Sequence, residues 1–267
     1  MRHMVPDRSG SPMVASKAVK PLRSLRTVLS DETYGRIREM VLTHEIAPGE
    51  RINIDALARE LDVSQTPVRE ALARLESDDL VMKEPLRGYA ATDLLTVHQI
   101  QDLFQFRGII EPWAATQAAR QITDEGRERL TEELERGRAA ETLDPDDAYA
   151  AMSEHDSRFH TLIAELSGSE FVKDAYVRTH CHLHLFRLYT VLKTWMDEPR
   201  EDAEVVGELF ELYYKPNSGF LAFTEHQAIA KAVMDGDEST ASRLMLEHIQ
   251  NSLKRFAPTM SAIEKGQ

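Results

Sequence analysis

In the stretch "SEHDSRFHTLI", Asp156 and His160 stand four residues apart, a spacing that puts a carboxylate and an imidazole on one face of a helix. Two further imidazoles, His226 in "FTEHQAI" and His248 in "MLEHIQ", flank a turn at Gly236-Asp237, ten residues before Gly236 and eleven after Asp237. At about 1.5 Å per helical residue, an antiparallel helix pair brings them to nearly the same height. Three imidazoles and one carboxylate suit zinc, nickel or a similar borderline divalent metal, with positions left open for water or a ligand. A competing cluster is "HCHLH", residues 180–184. Spacing places His180 and His184 on one face and points His182 elsewhere, and we read these as buried helix histidines with Cys181 in the core.

A second group of residues could read DNA. In "DVSQTPVREALARLESDDLV" (62–81), Val68, Ala71, Leu72 and Leu75 form an apolar stripe, leaving Gln65, Thr66 and Arg69 outward. An arginine there can make a bidentate contact to guanine O6/N7, and a glutamine can do the same for adenine N6/N7. Ser64 and Thr66 sit at the helix start, where exposed N–H groups favour phosphate. Arg87-Gly88, in "EPLRGY", could lay a cation in the minor groove.

These side chains need elements to hold them. From Ser30 the pattern is helical, with Tyr34, Ile37 and Val41 on one face and "APGE" ending the run. A second helix carries Ile54, Leu57, Ala58 and Leu61 behind an Asn53 cap. The third starts at Ser64 or Thr66, Pro67 being tolerated in the first turn. Two extended runs, 80–83 and 88–92, then make a small hairpin. Three helices and a hairpin amount to a winged helix-turn-helix. From Thr96 onward no strand is expected, only helical stretches near 96–120, 123–141, 146–167, 170–195, 204–213, 220–235 and 238–256. The fold class is mainly α: an N-terminal winged helix-turn-helix plus a C-terminal all-helical bundle. The division expected is a flexible basic arm (1–25), a DNA-binding domain (26–95), a helical effector-binding and dimerisation domain (96–258) and a tail (259–267).

Composition is compatible with this division. The chain has 267 residues and a formal net charge of −13. The charge lies in the second part: residues 1–95 hold 14 Lys/Arg against 15 Asp/Glu, and residues 96–267 hold 18 against 30. DNA binding depends on local potential, so an acidic total does not oppose it. One cysteine excludes an internal disulfide and fits a reducing compartment. No apolar run reaches the roughly 18 residues of a membrane span, and no signal-peptide pattern opens the chain. A cytoplasmic, nucleoid-associated protein without a membrane partner is expected.

The stretch "LARELDVSQTPVREALARLESDDLV", preceded by "IAPGERI" and followed by "LRGY", resembles the N-terminal domain of GntR-family transcriptional regulators. That resemblance places Ser64, Thr66, Arg69, Arg87 and Gly88 at DNA-contacting positions; Gln65 departs from the usual arginine. The motifs "FRGIIE", "HDSRFH", "EHQAIAKAVMDGD" and "ASRLMLEH" resemble the FCD ligand-binding domain of the FadR subgroup. They imply a homodimer, a cavity for a small organic acid, and metal ligation by Asp156, His160, His226 and His248. By the same resemblance Arg107 and Arg187 anchor the effector's carboxylate; for Arg107 an intrahelical pair with Glu111 is the equal alternative. Residues 197–219 are longer than this domain usually shows. The function implied is a ligand-responsive regulator, more often a repressor, on a palindromic double-stranded operator. The rival is a metal-dependent hydrolase tethered to DNA, for which His155-Asp156 mimics an HD dipeptide.

Overall fold

The structure is a computed structural model that describes residues 25–196 and 221–266. The basic arm, except for Leu25, and the insertion at 197–219 lie outside the described residues.

The N-terminal unit opens with α1 (Leu25–Leu42), followed by β1 (Arg51–Ile52), α2 (Ile54–Glu60), α3 (Gln65–Ser77), β2 (Val81–Glu84) and β3 (Gly88–Ala91). Asn53 caps α2, its side chain accepting from the N–H groups of Asp55 and Ala56 at 3.0 Å each. The apolar stripe of α3 does what its spacing predicts. Val68, Ala71, Leu72 and Leu75 are fully buried against Ile37 and Val41 of α1, each large side chain contributing about 1.5–3 kcal/mol. The strands pair antiparallel in the order β1-β3-β2, with Val81 opposite Ala91 and Glu84 opposite Gly88. The two-residue β1 was not expected from the sequence, being too short to show alternation.

The second unit is helical throughout its described residues: α4 (Val97–Arg120), α5 (Asp124–Ala139), a 3₁₀ turn (Ala140–Thr142), α6 (Pro145–Leu166), α7 (Glu170–Val177), α8 (Cys181–Met196), α9 (Leu221–Met234) and α10 (Glu238–Gly266). A capping box of Thr96 and Gln99 starts α4. Its alanines 114, 115, 118 and 119 are buried where α4 packs on α9 and α10. Phe159, Ile163, Ile229, Val233 and Met245 fill the centre.

Two boundaries differ from the sequence expectation. The stretch 170–195 is two helices, because His180 adopts a left-handed backbone (φ 44°) between them; no glycine or proline marks the break. The tail expected at 259–267 is instead helix to Gly266, with Met260 buried in the core.

The two units meet along α1 and α8. Arg187 of α8 is fully buried and donates to the Thr92 hydroxyl (2.7 Å) and carbonyl (2.6 Å). Thr190 donates to the Leu42 carbonyl at 2.8 Å, and His44 lies 3.0 Å from the Arg187 carbonyl.

Candidate metal centre and nucleic-acid interface

Three helices converge on one point in the bundle. His160 comes from α6, His226 from α9 and His248 from α10, all buried, with ligand-capable atoms within 4.8 Å of one another. The Nε2 atoms of His160 and His248 are 3.2 Å apart, and those of His226 and His248 are 3.3 Å apart.

The partners of the outer nitrogens fix the tautomers. Glu111 of α4 takes the Nδ1–H of His160 in a short hydrogen bond. Glu225 takes the Nδ1–H of His248 at 2.7 Å. His155 presents Nδ1 to Glu133 at 2.9 Å, so its Nε2 carries the lone pair, and His226 donates its own Nδ1–H to that atom across 3.1 Å. The three carboxylates are ionised. Burial alone would raise Glu111, but Arg107 and His160 hold it well below the usual carboxylate range. Burial likewise opposes His248 and Arg255 at Glu225, which ends at about 2, and opposes His155 and Arg158 at Glu133, which is also lowered. Each imidazole therefore turns an Nε2 lone pair inward. Lone pairs 3.2–3.3 Å apart have no proton to share, and a cation is what such a set accepts. Carboxylate–histidine pairs of this kind orient metal-ligating imidazoles and raise their basicity.

Asp156 stands beside this triad rather than inside it. Its Oδ1 is 3.6 Å from His226 Nδ1 and its Oδ2 is 3.7 Å from His182 Nδ1. Oδ1 is buried and has no hydrogen-bond partner among the described residues, the condition of an acceptor that a cation would satisfy. The residues present therefore fit a divalent metal.

Burial, reinforced by the neighbouring histidines, pushes His226 well below its ordinary value, and burial pushes His248 down to about 4. A depressed histidine takes up its proton later in the folded chain than in the unfolded one. Stability is therefore lost as pH falls from about 6.5 toward 4, His248 alone accounting for about 3 kcal/mol. Denaturant melts of metal-stripped protein should show lower stability at pH 5 than at pH 7.5. Equal stability would mean these imidazoles are not held neutral.

Arg107 takes the intrahelical alternative: its Nε lies 2.5 Å from Glu111 Oε1. Among the described residues its NH1 donates only to the Cys181 sulfur, at 3.2 Å, a weak acceptor. Arg187 stands apart from the three histidines. It lies at the junction with the DNA-binding unit, where NH1 and NH2 donate to Thr92 and the buried Nε has no hydrogen-bond partner among the described residues. The "HCHLH" cluster also differs in its facing. Cys181, His182 and His184 are buried as expected, but His180 precedes the helix. His182 turns toward the cluster, stacking on His160 with centroids 5.3 Å apart, and His184 reaches Asp79 at 3.4 Å.

Sequence reading placed Glu111 only beside Arg107, not at His160, and missed Glu133, Glu225 and Gly137. A Cβ on Gly137 would lie 2.6 Å from His155 Nδ1 and 2.7 Å from Phe223. Only glycine lets α5 pass here. Gly137→Ala should displace His155, cost about 1–3 kcal/mol and weaken metal binding, read by thermal melting and metal titration. An unchanged melt and affinity would refute this packing.

On the reading unit, Ser64, Gln65, Thr66 and Arg69 are exposed at the start of α3. Gln65 bridges Asp55 (2.5 Å) and Arg69 (3.3 Å), so the two outward side chains expected to read bases are linked to each other. Arg87 and Gly88 lie at the wing, Gly88 with φ 90° and Arg87 3.8 Å from Glu84. Leu86 at the tip is fully exposed.

Comparison with known proteins agrees with this geometry. The description "Bacterial regulatory proteins, gntR family" matches residues 29–90, and "FCD domain" matches residues 102–251, more than half the chain. The HTH-type transcriptional regulator LutR of Bacillus subtilis (strain 168) is 28% identical over 227 residues, 79% of this chain and 94% of that one. The "Putative L-lactate dehydrogenase operon regulatory protein" of Escherichia coli (strain K12) is 26% identical over 254 residues, 85% and 87%. The solved structure of E. coli McbR/YncC superposes with a TM-score of 0.58 at 18% identity, covering 85% of this chain and 95% of that one, a likeness of fold. These families are regulators and not enzymes, and among the described residues no helix is long and apolar enough to cross a membrane. The chain belongs to the GntR family of bacterial transcription regulators, in the FadR-like subgroup that joins a DNA-binding head to an effector-binding FCD domain.

Proposed function

We propose that the protein is a homodimeric repressor of the cytoplasm and nucleoid, which binds a palindromic operator and senses a small organic acid at a zinc- or nickel-type centre. The observation that carries the metal is the set of three inward Nε2 lone pairs. Zinc and nickel suit imidazole donors. Asp156 is the fourth ligand in this reading, reached by rotating a carboxylate that has no other partner at Oδ1. Such a metal supplies a Lewis-acid position at which a carboxylate oxygen can bind. Arg107 adds a charge-assisted donor through NH1, whose present partner is a thiol. The lactate operon named for one relative is consistent with a small carboxylate.

One face of α4 supports the dimer. Phe106, Ile109 and Trp113 are exposed, Ile109 at 73%, beside exposed Leu246 of α10. An apolar patch of this kind marks an interaction surface, and a second copy gives the two heads a two-fold operator requires. The double variant Ile109→Glu/Trp113→Glu should be monomeric by light scattering; a persisting dimer would place the interface elsewhere.

Selection of binding sites from a random DNA pool tests the whole reading. Enrichment of an inverted repeat, bound by one dimer and released by a small carboxylate, is the expected result. Enrichment of no sequence would overturn it.

A further inference from the structure

The metal centre leaves unused a cleft between the reading head and the bundle. Two cavities of about 210 Å³ and about 370 Å³ lie along it. Arg38 of α1, Ser157 of α6 and His182 of α8 line both. Arg38 is half-buried and makes no hydrogen bond or ion pair among the described residues. Two positions earlier, Arg36 is held by Glu39 at 3.1 Å and Glu45 at 2.8 Å.

The other charged groups of the cleft are already engaged. Arg158 binds Glu133 at 3.0 Å and Glu154 at 3.5 Å. Asp78 accepts from the Tyr34 hydroxyl at 2.6 Å. Ser157 and Thr161, one helical turn apart on α6, present hydroxyls with no side-chain hydrogen bond among the described residues. One uncommitted guanidinium facing two uncommitted hydroxyls is the donor set for a carboxylate, since arginine pairs with it through two parallel N–H···O bonds.

We propose that this interdomain cleft is a second binding site, for a small carboxylate, with Arg38 as its anchor and the Ser157 and Thr161 hydroxyls as its opposite wall. Only the ligand class rests on the proposed function; the site uses none of the metal-centre residues. One wall belongs to the reading head and the other to the bundle, so an occupant holds the head in this arrangement. A ligand with such a preference shifts the population of head orientations.

Succinate is the probe, titrated calorimetrically into full-length, metal-stripped wild type, Arg38→Ala, Arg38→Lys and His226→Ala. Saturable binding to wild type and His226→Ala is expected, weakened about tenfold or more in Arg38→Ala, as loss of one charge-assisted pair requires. Arg38→Lys, which keeps the charge and loses the fork, should fall between. Arg38 has no partner to lose among the described residues, so the variants should melt with wild type. Binding indifferent to Arg38→Ala, or absent from wild type, would overturn the cleft site. Binding that disappears only in His226→Ala would also overturn it, while leaving the metal-centre reading intact.

Discussion

Arg69→Ala is expected to lower affinity for the selected operator by about 10²–10⁴-fold, because a bidentate arginine–guanine contact is worth about 1–3 kcal/mol and a dimer makes it twice. Arg69 is exposed on the second turn of α3, steadied by Gln65 at 3.3 Å, while the buried stripe beneath it anchors the helix. Removing it should flatten discrimination at the contacted base and leave folding untouched. Arg87→Ala on the wing should behave differently, weakening all sequences about equally and reducing the salt dependence by about one unit per head. Fluorescence anisotropy with matched and mismatched duplexes separates the two. Equal loss on all sequences for Arg69→Ala would reduce it to a phosphate contact.

His226→Ala should take bound metal from about one equivalent per chain to almost none. The variant removes one of three converging lone pairs and strands His155, whose Nε2 accepts from His226. Ligand-linked stability goes with it, about 4 kcal/mol at a metal concentration 1,000 times the dissociation constant. Glu225→Gln and Glu111→Gln should weaken metal binding about 10–100-fold without abolishing it, since they free the tautomer and not the ligand. Elemental analysis beside thermal melts with and without metal reads all three. Full metal content in His226→Ala would show that the cation sits elsewhere.

Much of this molecule was legible before any coordinates. The stripe Val68–Ala71–Leu72–Leu75, the Asn53 cap and the turn at Gly236 are local signals, and local structure followed them. The convergence of His160, His226 and His248 was readable because a tight turn sets the register between α9 and α10. What stayed hidden depends on contacts distant in sequence. Glu111 lies 49 positions from His160, and Glu133 lies 22 from His155; nothing in the spacing of α4 or α5 announces that those helices face α6. The placement of Arg187 depends on such a contact too. A buried arginine on the bundle's helix could have faced either the cavity or the head, and only the packing of α8 against Thr92 decides it. His180 breaks a helix with a residue type that gives no warning.

A metal-bound small carboxylate is expected to alter DNA binding. Operator affinity should be measured by anisotropy on full-length protein, metal-stripped and metal-loaded, while citrate or L-lactate is added. The result expected is release of operator by the metal-loaded protein at carboxylate concentrations that leave the metal-stripped protein bound. Identical behaviour of the two forms would contradict it, and the three histidines would then be a feature of the fold alone.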